Sequence, residues 1–375
     1  MPKELRIAIA GAGQMGAAHA DAYRACNLRV VAVADSNPER AGQLAAAHGA
    51  WACRSTEEAL RQGVDALSIC LPHSLHFEAA MAAVGQGVAL LIEKPHCITL
   101  AESRALRARC AERGVPAMAG FTHRFLATSR RLKAEIGSGR LGRVGLAIDH
   151  LVANGLGPAA PEWYGERALA GGGIAMIGMI HSIDRLRWLL AAEIESVQAL
   201  VQPPVSERGV EDTALVLLQF SNGAQASLVA HRSPVVGHPR SHRYELFGER
   251  LNAYCSVGSF ALQELHLAGA GVDERVTVTD DAPFVAEIRE FSSALAEGRV
   301  PSPSLDEAEI ALGAVLAIYE SARLRRPILL REFLEQEAAL ERSGNVVSPP
   351  ATLSPRTSAA PATGTVSTRA VRNPN

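Results

Sequence analysis

The chain has 375 residues, of which 48% are apolar and 20% are charged, and its formal net charge is -2. This composition excludes a wholly disordered protein, and the length suits two or three domains of roughly 150 residues each. The near-neutral charge provides no strong basic surface, so the sequence predicts neither a nucleic-acid partner nor binding to a membrane.

The first 120 residues alternate between short apolar strands and helices. The predicted strands cover residues 5–10, 28–34, 66–71 and 88–92, and the predicted helices cover residues 15–25, 38–48, 73–84 and 100–113. These strands are apolar throughout, which is typical of strands buried on both faces of a parallel sheet. The alternation therefore predicts an α/β domain with a doubly wound parallel sheet over residues 1–120.

The pattern changes after Phe121, where strands begin to follow one another directly. A strand over 144–152 lies between helices over 126–136 and 173–190. The later predicted strands cover residues 196–201, 213–220, 224–230, 243–247, 252–257, 261–267 and 275–279, and the last helices cover 283–296 and 305–323. Asn222-Gly223 is a strong hairpin signal. The sequence predicts a second α/β domain, residues 121–342, with a large, mostly antiparallel sheet.

The remaining residues, 343–375, are rich in Ser, Thr, Pro and Ala, which predicts a disordered tail. No signal-peptide pattern and no membrane-spanning apolar run is evident. The six cysteines include no Cys-x-x-Cys pair. We therefore expect reduced cysteines, a cytoplasmic location and no metal site. The cluster of His238, His242 and Arg243 is interpreted as a surface loop.

A glycine-rich turn joins the first strand to the first helix. Gly11-Ala12-Gly13-Gln14-Met15-Gly16 fits the pattern Gly-x-Gly-x-x-Gly. In this pattern Gly11 allows a tight turn, Gly13 lets a pyrophosphate approach the backbone, and Gly16 lets the helix pack on the strand. The start of the helix, at Gln14 and Met15, offers unpaired N–H groups to phosphates. The turn predicts a dinucleotide site.

Asp35 ends the second predicted strand, 19 residues after Gly16. An acidic side chain at this place accepts hydrogen bonds from the adenine ribose. Its charge would repel the 2′-phosphate of NADP, and Ser36 and Asn37 offer no cation to bind one. The sequence therefore predicts NAD in preference to NADP, although Arg40, one helical turn further on, favours NADP.

Lys94 follows the strand over residues 88–92. Ligands of open α/β sheets bind at the carboxyl ends of the strands, so this ammonium should lie near both cofactor and substrate. Only 3 of the 37 basic residues are lysines. A lysine retained in such a chain is a candidate for proton transfer, which arginine cannot perform.

Five motifs in order resemble the glucose–fructose oxidoreductase, inositol dehydrogenase and MocA family over residues 5–325. They are the glycine turn with Asp35, Pro72-His73-Ser74-Leu75-His76, Glu93-Lys94-Pro95, Gly120-Phe121-Thr122-His123-Arg124-Phe125, and Gly171-Gly172-Gly173 followed by His181 and Asp184. The resemblance implies a Rossmann domain followed by a substrate domain. That second domain's sheet would form the interface of a homodimer or homotetramer.

The resemblance also implies reversible hydride transfer between NAD(P) and a secondary alcohol on a sugar, cyclitol or related ring. Lys94 would be the main acid/base and His181 would assist it at the same oxygen. Pro72, His76 and Glu93 would contribute to cofactor binding, with Glu93 near the nicotinamide ribose. We also expect substrate contacts from four further residues, which are Arg124, His150, Trp163 and Ile177.

One departure from the family leaves the mechanism open. Many members have Asp-x-Gly-x-His, whereas this chain has Ile177 and Met179 before His181. Asp184 is interpreted either as a partner that orients the imidazole or as a structural contact. The alternatives to a dehydrogenase are a glycoside-cleaving enzyme that uses transient oxidation and a non-catalytic NAD-binding sensor.

Overall fold

A computed structural model provides the structure of the chain. It describes residues 5–153, 161–202, 209–233, 235, 240–259, 262–269, 271–279 and 282–343. The predicted tail falls almost entirely outside these described residues.

Residues 5–120, all of them described, form a doubly wound domain. Its strands are β1 (Arg6–Ala10), β2 (Arg29–Ala34), β3 (Trp51–Cys53), β4 (Ala66–Ile69), β5 (Ala89–Glu93) and β6 (Ala117–Gly120). Its helices are α1 (Gln14–Ala25), α2 (Pro38–His48), α3 (Thr56–Leu60), α4 (His76–Gly85) and α5 (Leu100–Arg113). All strands are parallel, in the order β3-β2-β1-β4-β5-β6. The order reverses between β1 and β4, and the crevice at this switch point is where such sheets bind ligands.

The rest of the described chain is built on a second sheet. Its strands are β7 (Val144–Ala153), β8 (Ile194–Gln202), β9 (Thr213–Phe220), β10 (Gln225–Arg232), β11 (Ser241–Gly248), β12 (Asn252–Ser259), β13 (Leu262–Gly269), β14 (Val272–Val278) and β15 (Ile328–Leu329). Their order is β14-β13-β12-β11-β7-β10-β9-β8-β15. The pair β7–β10 is parallel and the other described pairs are antiparallel. The predicted fold class is confirmed.

The α-helices described after residue 121 are α6 (Ala127–Gly137), α7 (Arg167–Ala170), α8 (Ile180–Leu190), α9 (Pro283–Glu297), α10 (Leu305–Leu324) and α11 (Leu330–Arg342). Of these, α6, α8, α10 and α11 pack on the second sheet. Helix α10 packs on β8 and α8 and also on α5 of the first domain, while α9 packs on α1. One apolar core therefore continues from the parallel sheet into the second domain.

Capping residues explain several helix boundaries. Thr99 with Glu102 forms a capping box at the start of α5, and Ser304 with Glu307 forms one at the start of α10. Each box satisfies backbone N–H groups that a helix start leaves unpaired. The sequence missed β3, β6, β15, α3 and α7, because elements of two to five residues show too few periods of a pattern. It also missed the longer helix α11. It also predicted one helix over 173–190, where the chain forms a π-helical turn (Ala175–Met179) before α8.

Candidate active site

The glycine turn has the geometry of a phosphate cradle at the start of α1. Gly11 has φ +100°, and a Cβ there would lie 2.3 Å from the carbonyl oxygen of Cys70. A Cβ on Gly16 would lie 1.8 Å from the carbonyl oxygen of Gly11. A Cβ on Gly13 would meet nothing within 4 Å, so this face of the turn is open. The close contacts explain why residues 11 and 16 are glycines. The open face at Gly13, next to the helix N-terminus, fits a pyrophosphate.

Asp35 is buried beside this turn and is already oriented by hydrogen bonds. Its Oδ2 accepts from the Ala12 N–H (2.8 Å), and its Oδ1 accepts from the Asn37 N–H (2.8 Å) and from Arg40 Nη2 (2.9 Å). Burial alone would raise the pKa of this carboxyl group, but these hydrogen bonds lower it. A carboxylate has about four acceptor positions, so one remains for a ribose hydroxyl.

A cleft of about 790 Å³ runs from the turn towards the second domain. It contains Gly11, Gly13, Asp35 and Arg40 on one side, and Pro72 lies at its wall. The second domain contributes its other wall, formed by Pro161, Glu162, Trp163, Glu166 and Leu169. Trp163, predicted as a substrate contact, therefore lines the cleft that holds the glycine turn. The residues of this cleft fit a dinucleotide, with Asp35 at its ribose end.

Lys94 lies directly after β5, where the two domains meet. Its Nζ donates a hydrogen bond to the backbone carbonyl of Ile177 (2.8 Å), which lies in the π-helical turn. Burial lowers the pKa of the Lys94 ammonium from its ordinary value. The charge of Glu93 acts against this, whereas the charges of Arg240 and Arg232 add to it. The group is therefore easier to deprotonate than an exposed lysine.

His181, in the first turn of α8, is the second predicted acid/base. Its ring stacks on that of His123, with centroids 4.0 Å apart and planes at 15°. Its Nδ1 is buried without a hydrogen-bond partner among the described residues. Burial lowers its pKa well below the ordinary value, and the positive charge of Lys94 lowers it further. The imidazole is therefore neutral at neutral pH.

A buried polar network beneath this histidine stack was missed by sequence reasoning. Asp149 pairs with Arg185 and also accepts from Ser182 Oγ (2.8 Å). Asp149 Oδ1 also lies 3.0 Å from His242 Nε2. His242 is a buried residue of β11, and its assignment to a surface loop was therefore wrong. Inward-facing residues alternate along this strand, with His242 followed by Tyr244. That period of two was the signal available in the sequence.

Glu93 and His76 make contacts that fix the turn around Lys94. Glu93 Oε1 lies 3.0 Å from His19 Nε2, and Oε2 accepts from the Lys94 backbone N–H (3.2 Å). The two ring nitrogens of His76 lie 2.9 Å from the carbonyl oxygens of Pro95 and Leu71. Both side chains therefore brace the Glu93-Lys94-Pro95 segment from the first domain.

His73 joins the two domains. Its Nδ1 lies 2.8 Å from the carbonyl oxygen of Ala170 in α7. Its ring also packs edge-on against Trp163, with centroids 4.7 Å apart. These contacts hold the 161–170 segment against the cofactor cleft.

Arg124 was expected to contact substrate, but its guanidinium is occupied by the buried carboxylate of Asp184 and the partly buried carboxylate of Glu307. It binds Asp184 through two hydrogen bonds (2.8 and 2.5 Å) and Glu307 through a third (2.6 Å). The expectation of a substrate contact therefore has no support from the structure. The same pairing decides between the two interpretations of Asp184, because its carboxylate serves Arg124 and not the His181 imidazole.

His150 was also expected to contact substrate. Successive residues of a strand point to opposite faces of the sheet. Asp149 and Leu151 are buried on the helix-covered face, whereas His150 is only partly buried and is paired with exposed Arg243. His150 therefore lies on the face of the sheet away from Lys94, and its position gives a substrate role no support.

No group of three or more His, Cys, Asp or Glu side chains among the described residues could hold a metal ion. In the same residues, no helix is long and apolar enough to cross a membrane.

The parallel sheet, the glycine cradle and the oriented Asp35 define a dinucleotide-binding enzyme of the Rossmann class. Residues 5–121 match the oxidoreductase family with an NAD-binding Rossmann fold, and residues 129–253 match the GFO/IDH/MocA C-terminal domain. The chain belongs to the GFO/IDH/MocA family of oxidoreductases, which confirms the resemblance and NAD as the cofactor.

Named relatives include dehydrogenases of ring alcohols. The chain is 28% identical to scyllo-inositol 2-dehydrogenase (NAD(+)) of Bacillus subtilis, over 88% of this chain and 97% of that protein. It is 32% identical to UDP-N-acetylglucosamine 3-dehydrogenase of Acidithiobacillus ferrooxidans, over 79% of this chain and 90% of that protein. The crystal structure of aldose-aldose oxidoreductase from Caulobacter crescentus superposes with a TM-score of 0.79 at 25% identity, covering 87% of this chain and 100% of that one. The chain is an NAD-dependent dehydrogenase acting on CH–OH groups.

Proposed function

We propose that this enzyme oxidises a secondary alcohol on a sugar, cyclitol or related hydroxylated ring, with Lys94 as the main acid/base. The observation that carries the proposal is the partly buried Lys94 ammonium at the carboxyl end of the parallel sheet, hydrogen-bonded to the neutral Ile177 carbonyl of the π-helical turn. Bound NAD supplies the hydride acceptor at nicotinamide C4. The inositol and UDP-N-acetylglucosamine substrates in the names of relatives support a ring substrate.

Lys94 has the properties that proton transfer from a hydroxyl group requires. An ammonium has three N–H donors, and the described residues take one of them, through the Ile177 carbonyl. The lowered pKa makes the neutral amine accessible, and that amine can accept the hydroxyl proton as hydride leaves the same carbon. His181 remains neutral, so its ring can exchange a hydrogen bond with the same oxygen.

Glu93, His76 and Pro72 support this site from the cofactor side. Glu93 and His76 hold the backbone on either side of Lys94, and Pro72 lies in the cleft wall. We propose that they bind or position the nicotinamide half of NAD, while the turn from Gly11 to Gly16 and Asp35 bind the pyrophosphate and adenine ribose. Trp163 would close the cleft from the second domain.

An NAD-reduction screen over sugars, sugar acids, cyclitols and cyclic dihydrodiols tests the proposal, with Lys94→Met as the matched blank. Net NADH formation that Lys94→Met abolishes supports the dehydrogenase. Product formed without net NADH would favour cleavage through transient oxidation. Neither NADH nor product across the panel, with NAD still bound, would favour a sensor.

We propose that the outer face of the second sheet forms a homodimer or homotetramer interface. Three leucines on adjacent strands, Leu200, Leu215 and Leu217, are 66%, 41% and 55% exposed. Apolar patches of this kind mark interaction sites. Light scattering should show a smaller particle for Leu217→Glu. The exposed Leu340→Glu on α11 serves as the matched control and should leave the particle size unchanged.

The domain division and the location are further proposals. We propose that residues 1–120 act as the cofactor domain and residues 121–342 as the substrate and oligomerisation domain, because the first sheet ends at Gly120. All six cysteines are free thiols, which favours a reducing compartment such as the cytoplasm.

A further inference from the structure

A buried carboxylate anchors the start of the helix that carries His181. Both oxygens of Glu211 lie 2.9 Å from the Gly173 N–H, and Oε1 also accepts from the Ala175 N–H (3.2 Å). The Tyr319 hydroxyl donates to the same oxygen (2.7 Å), and Arg167 Nη2 donates to Oε2 (3.3 Å). Glu211 is only 2% exposed, so these bonds are shielded from water. They satisfy backbone groups that the start of a helix leaves unpaired.

Gly173 is required for this anchor. A Cβ at residue 173 would lie 2.0 Å from the Glu211 carbonyl oxygen, and that carbonyl accepts the Ile174 N–H (3.0 Å). Glu211 therefore holds the helix start through both its side chain and its backbone. In the Gly171–Gly173 run, which the sequence marked only by resemblance, Gly173 packs against Glu211 and Gly172 packs against Tyr319.

The anchored segment continues directly into the π-helical turn Ala175–Met179. Such turns alter the regular backbone hydrogen bonding of a helix and are frequent at functional sites. Within this turn the Ile177 carbonyl oxygen accepts the Lys94 Nζ hydrogen bond (2.8 Å). The acceptor is separated from the Glu211 anchor by only a few residues of the same turn.

We propose that Glu211 is a positioning residue for proton transfer. Glu211 fixes the π-helical turn so that the Ile177 carbonyl holds the Lys94 ammonium. This neutral carbonyl takes the place of a carboxylate. The proposal rests on the role of Lys94 in the proposed function. It explains how a site with isoleucine at position 177 keeps its lysine oriented.

The charge of the group that accepts the Lys94 hydrogen bond matters, because a carboxylate there would favour the protonated lysine much more strongly than a carbonyl group does. Among the described residues, the titratable and charged groups that interact with Lys94 are Glu93 at the end of β5, His73 just before α4, His76 at the start of α4, His181 on α8, Arg232 on β10 and Arg240 before β11. Glu93 is the one anion among them. A second carboxylate at position 177 would therefore shift the balance towards the ammonium.

Competitive acetylation of the full-length protein measures this balance without any substrate. The chain contains only three lysines, Lys3, Lys94 and Lys133, so peptide mass spectrometry resolves the labelling rate of each against pH. For the native chain we expect Lys94 to titrate below the ordinary lysine value of about 10.4. Ile177→Asp should raise the Lys94 pKa by about 1–3 units, whereas the neutral control Ile177→Asn should leave it near the native value. Equal shifts in the two variants would overturn the proposal.

Two variants test the anchor. Glu211→Gln should speed amide hydrogen exchange at Gly173 and Ala175 by about tenfold or more and lower the Lys94 pKa, because the carbonyl holds the ammonium less firmly. Tyr319→Phe removes one anchoring bond without changing a charge, and it should produce smaller changes in the same direction. A Lys94 pKa shift in Glu211→Gln alone, with no change in Tyr319→Phe, would assign the effect to lost charge and overturn the positioning role.

Turnover then separates this proposal from the proposed function. Glu211→Gln should lower kcat while leaving the KM for NAD unchanged. If Lys94→Met keeps its activity but the Lys94 labelling rates change in the other variants as expected, the acid/base role of Lys94 is wrong. The anchoring of the π-helical turn by Glu211 is then still supported. If Lys94→Met is inactive but neither anchor variant changes the labelling of Lys94, the positioning role of Glu211 fails alone.

Discussion

Replacing Asp35 with serine tests how this enzyme chooses between NAD and NADP. In the native site the carboxylate holds Arg40 (2.9 Å) and has an acceptor position for the adenine ribose. We expect Asp35→Ser to weaken NADH binding, because a charged acceptor of ribose hydrogen bonds is lost. We expect it to strengthen NADPH binding, because the repulsion of a 2′-phosphate disappears and the half-exposed Arg40 guanidinium is released.

The size of each change follows from the contacts involved. A hydrogen bond to a charged group contributes about 1.5–3 kcal/mol, so NADH should bind roughly 10- to 100-fold more weakly. Unit charges ~5 Å apart repel by about 3 kcal/mol at an effective dielectric constant of ~20, and pairing with Arg40 offsets part of this. NADPH binding should therefore improve about tenfold, and the cofactor preference should change by roughly 10²–10³.

Fluorescence titration with NADH and NADPH measures both affinities without knowledge of the substrate. Arg40→Gln in the Asp35→Ser background is the matched control, and it should remove most of the gain in NADPH binding. Equal native affinities for the two cofactors, or an unchanged preference in Asp35→Ser, would refute this account of specificity.

Three further variants test the site and its support. Lys94→Met should reduce turnover by ~10²–10⁴-fold with NADH affinity nearly unchanged, because a positioned acid/base group is lost. Steady-state kinetics with a substrate from the screen measures this loss. Activity within a few-fold of native would remove Lys94 from the mechanism. His181→Ala should lower kcat less than Lys94→Met does, since the lysine remains; a larger loss would make the histidine the main acid/base. Arg124→Met should lower the free energy of unfolding by about 3–5 kcal/mol in urea titrations, because Asp184 is left as an unpaired buried charge. The exposed Arg331→Met should change it far less, and equal effects of the two arginine variants would contradict the structural role of Arg124.

Local patterns in the sequence were sufficient for much of the fold and for the places of the glycine turn, Asp35 and Lys94 within it. The strands around the glycine turn are continuous apolar runs, and helices α2 and α5 have the predicted bounds because proline and capping residues mark their ends. Asp35 and Lys94 could be located because each directly follows a buried parallel strand. The carboxyl ends of such strands face the ligand crevice in any open α/β sheet.

The surroundings of His181 and Ile177 depended on contacts between residues far apart in the chain. Arg124 binds Glu307, 183 positions away, and Gly173 binds Glu211, 38 positions away. No local period predicts such pairs, since they form only when helices pack against the second sheet. The π-helical turn likewise has the residue pattern of an ordinary helix. The sequence by itself determined that a lysine follows a buried parallel strand, and it predicted that NAD binds at that end of the sheet. The tertiary structure decided that the Lys94 ammonium donates to the Ile177 carbonyl, because that contact joins residues 83 positions apart and forms only when the two domains pack together.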